Sequence, residues 1–172
     1  MKIPILHLND GHHHYESTIA GGELHFYHDE VFPNDVDVVV DLEKFAKNLS
    51  CRVAFKTKAH YICDRCLTEF EKEIKDRFTV LFHLGQDDFE TDEDDVVLLP
   101  PEQKEIDLSP FLLENLILSV PMKTVCREDC KGLCSGCGVD LNKESCTCDV
   151  EEFDPRWDKL REIKNNYKEK NN

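Results

Sequence analysis

Cysteine offers the most chemistry in this chain, with nine thiols in 172 residues. Cys63-Asp64-Arg65-Cys66 has the two-residue spacer that lets two thiolates face one metal ion, the knuckle used in zinc ribbons and fingers. Cys126-x3-Cys130-x3-Cys134-x2-Cys137 is followed by Cys146-x-Cys148, with Gly132, Gly136 and Gly138 between them to permit tight turns. Thiols this dense in a polar segment are an oxidation hazard unless a metal holds them. The cofactor expected is structural Zn2+, one or two ions, because four thiolate ligands leave no open position for catalysis. One pairing joins Cys63 and Cys66 to Cys126 and Cys130, with Cys134, Cys137, Cys146 and Cys148 as a second set. The rival pairing draws one site from the C-terminal six and leaves Cys63 and Cys66 apart. A redox C-x-x-C belongs at a helix N-terminus after a βα turn, a setting that Cys63 lacks. An iron–sulfur cluster fits the doublet spacing less well than zinc. Cys51 falls on an apolar strand face and reads as a core thiol. His12-His13-His14 reads as a solvated loop, since three neighbouring rings rarely converge on one ion. Gly-rich phosphate loops and Ser/His/Asp signatures are absent from the sequence.

These ligands need elements to place them. From Cys51 to Tyr61 apolar and polar residues alternate, which predicts a long half-buried strand running into Cys63. Phe70, Ile74, Phe78, Val80, Phe82 and Leu84 repeat the period, so the two strands predict a hairpin with the knuckle at its turn. Lys72 and Asp76 would share the apolar face, and a bulge or a later start near Phe78 would remove the conflict. Val36 to Leu42 reads as a strand, and Ile3 to Leu8 as an edge strand. Gly11 to Gly22 reads as turn-rich. Ser109-Pro110 predicts an N-cap and first helical position, with Leu112, Leu113, Leu116, Ile117 and Val120 at helical spacing until Pro121. Asp154-Pro155 starts a last helix carrying Trp157, Leu160 and Ile163.

The formal charge is −15, and −9 of it lies in residues 87–107. That stretch reads as a mobile acidic loop, or as bait for a basic partner. Residues 51–86 carry a net of +2, with seven basic against five acidic side chains. Bulk acidity argues against indiscriminate nucleic-acid coating. The absence of an apolar run long enough to span a bilayer and of a signal-peptide pattern predicts a cytoplasmic chain with no membrane partner.

Several blocks together resemble one family. They are Cys63-Asp64-Arg65-Cys66-Leu67, Glu105-Ile106-Asp107-Leu108, Leu118-Ser119-Val120-Pro121, the run Cys126 to Cys134, Cys137-Gly138, Leu141-Asn142, and Asp154-Pro155-Arg156-Trp157 with Leu160. In order and separation they resemble the YceD family, the large ribosomal RNA subunit accumulation proteins, over residues 36–163. The resemblance implies a bacterial protein with plastid relatives, needed for normal accumulation of 23S rRNA through ribosome assembly or rRNA processing. It carries over no catalytic residues.

The resulting expectation is a non-enzymatic factor that binds 23S rRNA, a pre-50S particle or a basic large-subunit ribosomal protein. Candidate RNA contacts are Arg52, Lys56, Lys58, Arg65, Arg127 and Lys131, with Lys75, Arg77, Arg156, Lys159 and Arg161 as extensions. The alternatives are a zinc-dependent enzyme acting on RNA or peptide, and a general zinc-ribbon nucleic-acid-binding module. The fold expected is α+β: an antiparallel sheet around the 51–84 hairpin, a packed helix, and a C-terminal zinc-knuckle-like, cysteine-rich appendage. The expected divisions are 1–121 with acidic loop 87–107, 122–150, and a helix and tail over 151–172.

Overall fold

The structure, a computed structural model, describes residues 1–22, 31–85, 96–148, 155–160 and 163. The chain divides into two compact units. The first comprises Met1–Asp64 and Thr68–Cys126; the second comprises Arg65–Leu67 and Arg127–Asn172.

The first unit is mostly sheet. Strands β1 (Lys2–Pro4), β2 (Gly11–Ile19), β3 (Val36–Phe45), β4 (Asn48–Ile62), β5 (Glu69–Leu84), β6 (Val96–Leu99) and β7 (Glu105–Asp107) precede helix α1 (Ser109–Leu118). Five strands form one sheet in the order β2-β3-β4-β5-β6, antiparallel except for β6, which runs parallel to β5. β1 and β7 form a separate antiparallel pair. The description that holds for these residues is a mixed, mainly antiparallel β architecture with little helix.

The β4–β5 hairpin follows from the alternation in its sequence. Leu49, Cys51, Val53, Phe55, Thr57, Ala59 and Tyr61 are buried, while Arg52, Ala54, Lys56 and Lys58 are exposed between them. Pairing is unbroken from Asn48↔His83 to Ile62↔Glu69, so no bulge relieves Lys72 and Asp76. Both lie opposite buried residues, Ala59 and Phe55, yet both are solvent-exposed. The apolar face of β5 is therefore open at those two positions and closed at Ile74, Val80 and Phe82. Leu112 and Leu116 of α1 belong to the same buried cluster, and Phe111 meets Phe82 edge-on at 5.8 Å.

Three local expectations are corrected. The His triplet is not in a loop: β2 pairs residue by residue with β3 from Gly11↔Lys44 to Ile19↔Val36. Its polar side chains on both faces hid the period that identifies a strand. Ser109 does not cap α1; Leu108 occupies the cap position without a side-chain bond. The Ser109 hydroxyl accepts from the Met1 amino group, and its backbone N–H donates to Asp107 Oδ1 at 2.9 Å. The expected edge strand shrinks to β1, because Ile5 and Leu6 donate to Lys104 O outside the ladder. Of the acidic stretch, residues 87–95 lie outside the described residues, and the remainder contains β6 and β7. Of the last helix, Pro155–Trp157 forms a 3-10 turn, and Trp157, Leu160 and Ile163 are exposed. Asp154 and Arg161 lie outside the described residues.

Candidate metal centres and cationic face

The hairpin end and the segment after α1 are fastened within the first unit. Asp64 N–H donates to Thr124 O at 2.8 Å, Thr124 N–H returns to Asp64 Oδ2 at 2.6 Å, and the Thr124 hydroxyl reaches Ile62 O at 2.8 Å. This clasp brings the backbone N–H of Cys126 to 3.4 Å from Cys63 Sγ. Such N–H···S bonds favour the thiolate that a metal needs.

The second unit is built from turns. Leu133 N–H bonds Arg65 O at 3.0 Å, Cys134 N–H bonds Val139 O at 2.8 Å, and Gly138 N–H bonds Cys134 O at 2.9 Å. Gly132 and Gly138 both have φ of +76°, the left-handed region that favours glycine. At Gly132 a side chain is excluded twice over, because a Cβ would lie 2.9 Å from Arg65 O. Among the described residues 127–148, those buried are Cys130, Gly132 and Cys134. The interior of this segment is thus sulfur and backbone, with Leu133, Val139 and Leu141 only half-buried. A segment with no buried aliphatic side chain lacks a core of its own, so a metal fits it on physical grounds.

In the second unit Cys134, Cys137, Cys146 and Cys148 could hold a metal ion, their sulfurs all lying within 4.8 Å of one another. Of the other four candidate ligands, Cys63 and Cys126 lie in the first unit and Cys66 and Cys130 in the second. Within the Cys134 group Cys146 Sγ is 3.2 Å from Cys134 Sγ and 3.4 Å from Cys137 Sγ. The backbone N–H of Cys137, the Cys146 thiol and the Gly136 N–H hold Cys134 down to about 6. Cys146 accepts the Cys148 backbone N–H, which favours its thiolate, but the crowding sulfurs of Cys134, Cys148 and Cys137 outweigh this and push it up to about 12. Four thiols this close cannot all ionise without a counter-charge, and a divalent cation supplies one. Cys51 stands apart from both groups: it is 0% exposed, and burial pushes its thiol up to about 12.

Asn142 is a residue that spacing alone did not flag. Its Oδ1 accepts from Arg127 Nη2 at 2.7 Å and from Lys131 N–H at 2.8 Å. Its Nδ2 donates to Asp140 Oδ1 at 2.7 Å and to Cys130 Sγ at 3.4 Å. Its signals in the sequence were the Leu141-Asn142 block of the family resemblance and its position between Cys137 and Cys146.

The six candidate RNA contacts separate into two kinds. Arg65 Nη1 donates to Cys130 O at 2.8 Å and to Glu128 O at 3.1 Å. Arg127 is engaged by Asn142 and by Asp129 at 3.4 Å. Lys131 is exposed and meets Asn142 through its backbone. Arg52, Lys56 and Lys58 instead share the solvent face of β4. Lys56 and Lys75 are directly opposed, and Glu73 bridges them at 3.0 and 2.7 Å. That bridge relieves a like-charge pair and holds the Glu73 carboxyl down to about 2, Lys75 contributing most and Lys56 next. Beside it lies a depression of about 520 Å³, lined by Asp37, Val39, Ala54, Lys56, Lys75 and Arg77 among others. Acids interleave on this face: Asp41 holds His14 at 2.7 Å and raises its pKa, with Glu16 assisting.

A family profile described as "Large ribosomal RNA subunit accumulation protein YceD" matches residues 51–164. The chain is 29% identical over 161 residues, 78% of its own length and 50% of the relative's, to the large ribosomal RNA subunit accumulation protein YCED homolog 1, chloroplastic, of Arabidopsis thaliana. It is 38% identical over 103 residues, 59% of its length and 48% of the relative's, to an uncharacterised protein of Mycobacterium tuberculosis H37Rv. A Zea mays protein with the same name as the Arabidopsis one matches over 62 residues at 42% identity, covering 36% of this chain and 21% of that protein. The chain spans about half the length of the first two of these relatives. No solved structure matches it. No helix among the described residues is long and apolar enough to cross a membrane.

Proposed function

The chain belongs to the YceD family, described by large ribosomal RNA subunit accumulation, and from this premise we propose that it is a non-enzymatic factor in large-subunit ribosome assembly. It supports 23S rRNA accumulation or processing by binding rRNA in a pre-50S particle. We propose further that it is α+β overall, with parts 1–121, 122–150 and 151–172, and acts in the cytoplasm. Cys63, Cys66, Cys126 and Cys130 would hold one Zn2+, and Cys134, Cys137, Cys146 and Cys148 a second. Each set supplies four thiolates, a donor set that leaves no vacant position and suits a structural ion. The ions would fix the turns of the cysteine-rich segment.

The observation that carries the RNA reading is the cationic strip of β4 and β5. Arg52, Lys56 and Lys58 project from one face, with Arg52 about 13 Å and Lys58 about 7 Å from Lys56 by strand geometry, and Lys75 and Arg77 lie beside them. Among the described residues Arg52, Lys58 and Arg77 have no ion-pair partner, so they are available to phosphates. Arg65 and Arg127 act as struts for the cysteine-rich turns, and Lys131 contributes at most a peripheral contact. The interleaved acids Asp37, Asp41 and Glu43 support a second reading, in which the partner is a basic ribosomal protein.

Gel shifts with 23S rRNA fragments at several salt concentrations test this. Arg52→Glu with Lys58→Glu should weaken binding and flatten the salt dependence by about 0.7 in log–log slope per lost single-strand phosphate contact. Unchanged RNA affinity together with lost binding to a basic ribosomal protein would transfer the face to the second reading.

A further inference from the structure

We propose that Cys137 and Cys146 are a thiol-oxidation site, closing to a disulfide under peroxide while the deeper cysteines stay reduced. The inference rests on the zinc reading only for its metal-release readout. Access decides which sulfur meets the oxidant. Cys137 and Cys148 are exposed and Cys146 is half-buried, whereas Cys63, Cys66, Cys130 and Cys134 are 0%, 7%, 4% and 6% exposed. Among thiols of one cluster, exposure is the discriminator. Cys137 lies 3.4 Å from a resolving partner, Cys146 Sγ; Cys148 also crowds Cys146, but a single residue separates those two, a span on which disulfide geometry is strained. The intervening chain carries Gly138 at φ +76° and the exposed residues Lys143 to Ser145.

The chemistry balances with peroxide as the two-electron oxidant. The Cys137 thiolate attacks one peroxide oxygen; the O–O bond breaks, and a sulfenic acid forms as one water leaves after protonation. Cys146 sulfur then attacks the sulfenic sulfur, forming the S–S bond and expelling the second water. Two thiolates, one peroxide and two protons give one disulfide and two waters. Losing two of four donors weakens that site's hold on its ion, while the other cysteine group keeps all of its donors.

The test uses the full chain, with its metal counted by elemental analysis before treatment. After a hydrogen peroxide time course, the protein is quenched with an alkylating agent under denaturing conditions and mapped by mass spectrometry, while a chromophoric chelator reports released zinc. The expected first product is a peptide linked through Cys137 and Cys146, appearing with about one zinc per chain and reversed by a dithiol reductant. Cys63, Cys66 and Cys130 should oxidise at least about tenfold more slowly. Cys137→Ser should slow zinc release by a similar factor. A first disulfide through Cys134 or Cys148, equal oxidation of the deeper cysteines, or wild-type release from Cys137→Ser would overturn the proposal. If the untreated chain carries fewer than two zinc ions, the metal reading fails, and the disulfide map of the wild type still decides this one. The same map decides if Cys137→Ser does not fold.

Discussion

Replacing Asn142 should weaken zinc binding at the proposed site that includes Cys130, for which Asn142 would not itself be a ligand. Its Nδ2 is the donor to Cys130 Sγ, and its Oδ1 gathers Arg127 and the Lys131 backbone. Asp140 Oδ1 accepts from both the Nδ2 and the backbone N–H of Asn142, which fixes the amide's orientation. A hydrogen bond to an ionised acceptor contributes about 1.5–3 kcal/mol net. Converted at about 1.4 kcal/mol per decade, that predicts roughly ten- to a hundredfold weaker zinc binding for Asn142→Ala. Asn142→Asp should be worse: it keeps an acceptor for Lys131 but places a carboxylate against Asp140 and the Cys130 thiolate. Asn142→Gln, with the donor one methylene further out, should fall between wild type and Asn142→Ala. The assay is competition against a chromophoric chelator on the full chain, paired with cobalt substitution. Sulfur-to-cobalt charge-transfer bands shift when a thiolate loses its donor, a signature that a purely structural loss would not give. Affinities for all three variants within twofold of wild type, with unshifted cobalt spectra, would refute the reasoning.

Cys51→Ser should cost about 1–3 kcal/mol in stability by denaturant melts, since it puts a hydroxyl at a fully buried site, and should leave the zinc count unchanged; a lost zinc would make Cys51 a ligand. Gly132→Ala should cost about 1–3 kcal/mol or more from its left-handed backbone and the close Arg65 carbonyl, so a wild-type melting curve would contradict the turn geometry. Glu73, held down to about 2 by Lys75 and Lys56, is a depressed carboxylate. Its stabilising pairing is present above the ordinary glutamate range and is lost as pH falls from about 4.5 toward 2, which carboxyl-carbon NMR titration would show as a midpoint near 2 that rises in Lys75→Ala. At neutral pH, Glu73→Gln should release Lys56 and Lys75 and strengthen RNA association in gel shifts; weaker association would contradict the phosphate-binding role of that face.

The hairpin was legible because its alternation is long and one-sided: Cys51 through Tyr61 sort cleanly into buried and exposed rows. The cysteines were legible as candidate ligands with two pairings open, and Cys134, Cys137, Cys146 and Cys148 lie close enough to share one ion. The His triplet was not legible, because β2 is an edge strand whose exposed His12, His14 and Glu16 mask the period. Ser109 misled because its neighbours satisfy its hydroxyl first: the Met1 amino group reaches it through the β1–β7 pairing. Lys72 and Asp76 read as conflicts only on the assumption that the whole apolar face of β5 is covered, and both are exposed. Sequence shows charge and not hydrogen-bond partners, so it does not reveal how Arg65 and Arg127 are engaged. Backbone carbonyls and Asn142 use those guanidiniums.

The two functional features place opposite demands on the chain. A phosphate-binding face would need cations held apart, and β4 spaces them by strand geometry, with the buried row of Val53, Phe55 and Thr57 fixing where Arg52, Lys56 and Lys58 project and Glu73 engaging Lys56. The cysteine-rich unit has no such buried aliphatic row over residues 127–148, so its cations are spent on its own turns. Arg65 bonds carbonyls at both ends of a short loop, and Arg127 bonds Asn142, work that a hydrophobic core would otherwise make unnecessary. Stripping the metal should therefore disorder the cysteine-rich unit and free Arg65 and Arg127, while the β4 strip keeps its geometry. RNA affinity that survives chelation but is lost in Arg52→Glu/Lys58→Glu places recognition on the sheet. Affinity lost on chelation alone places it on the turns.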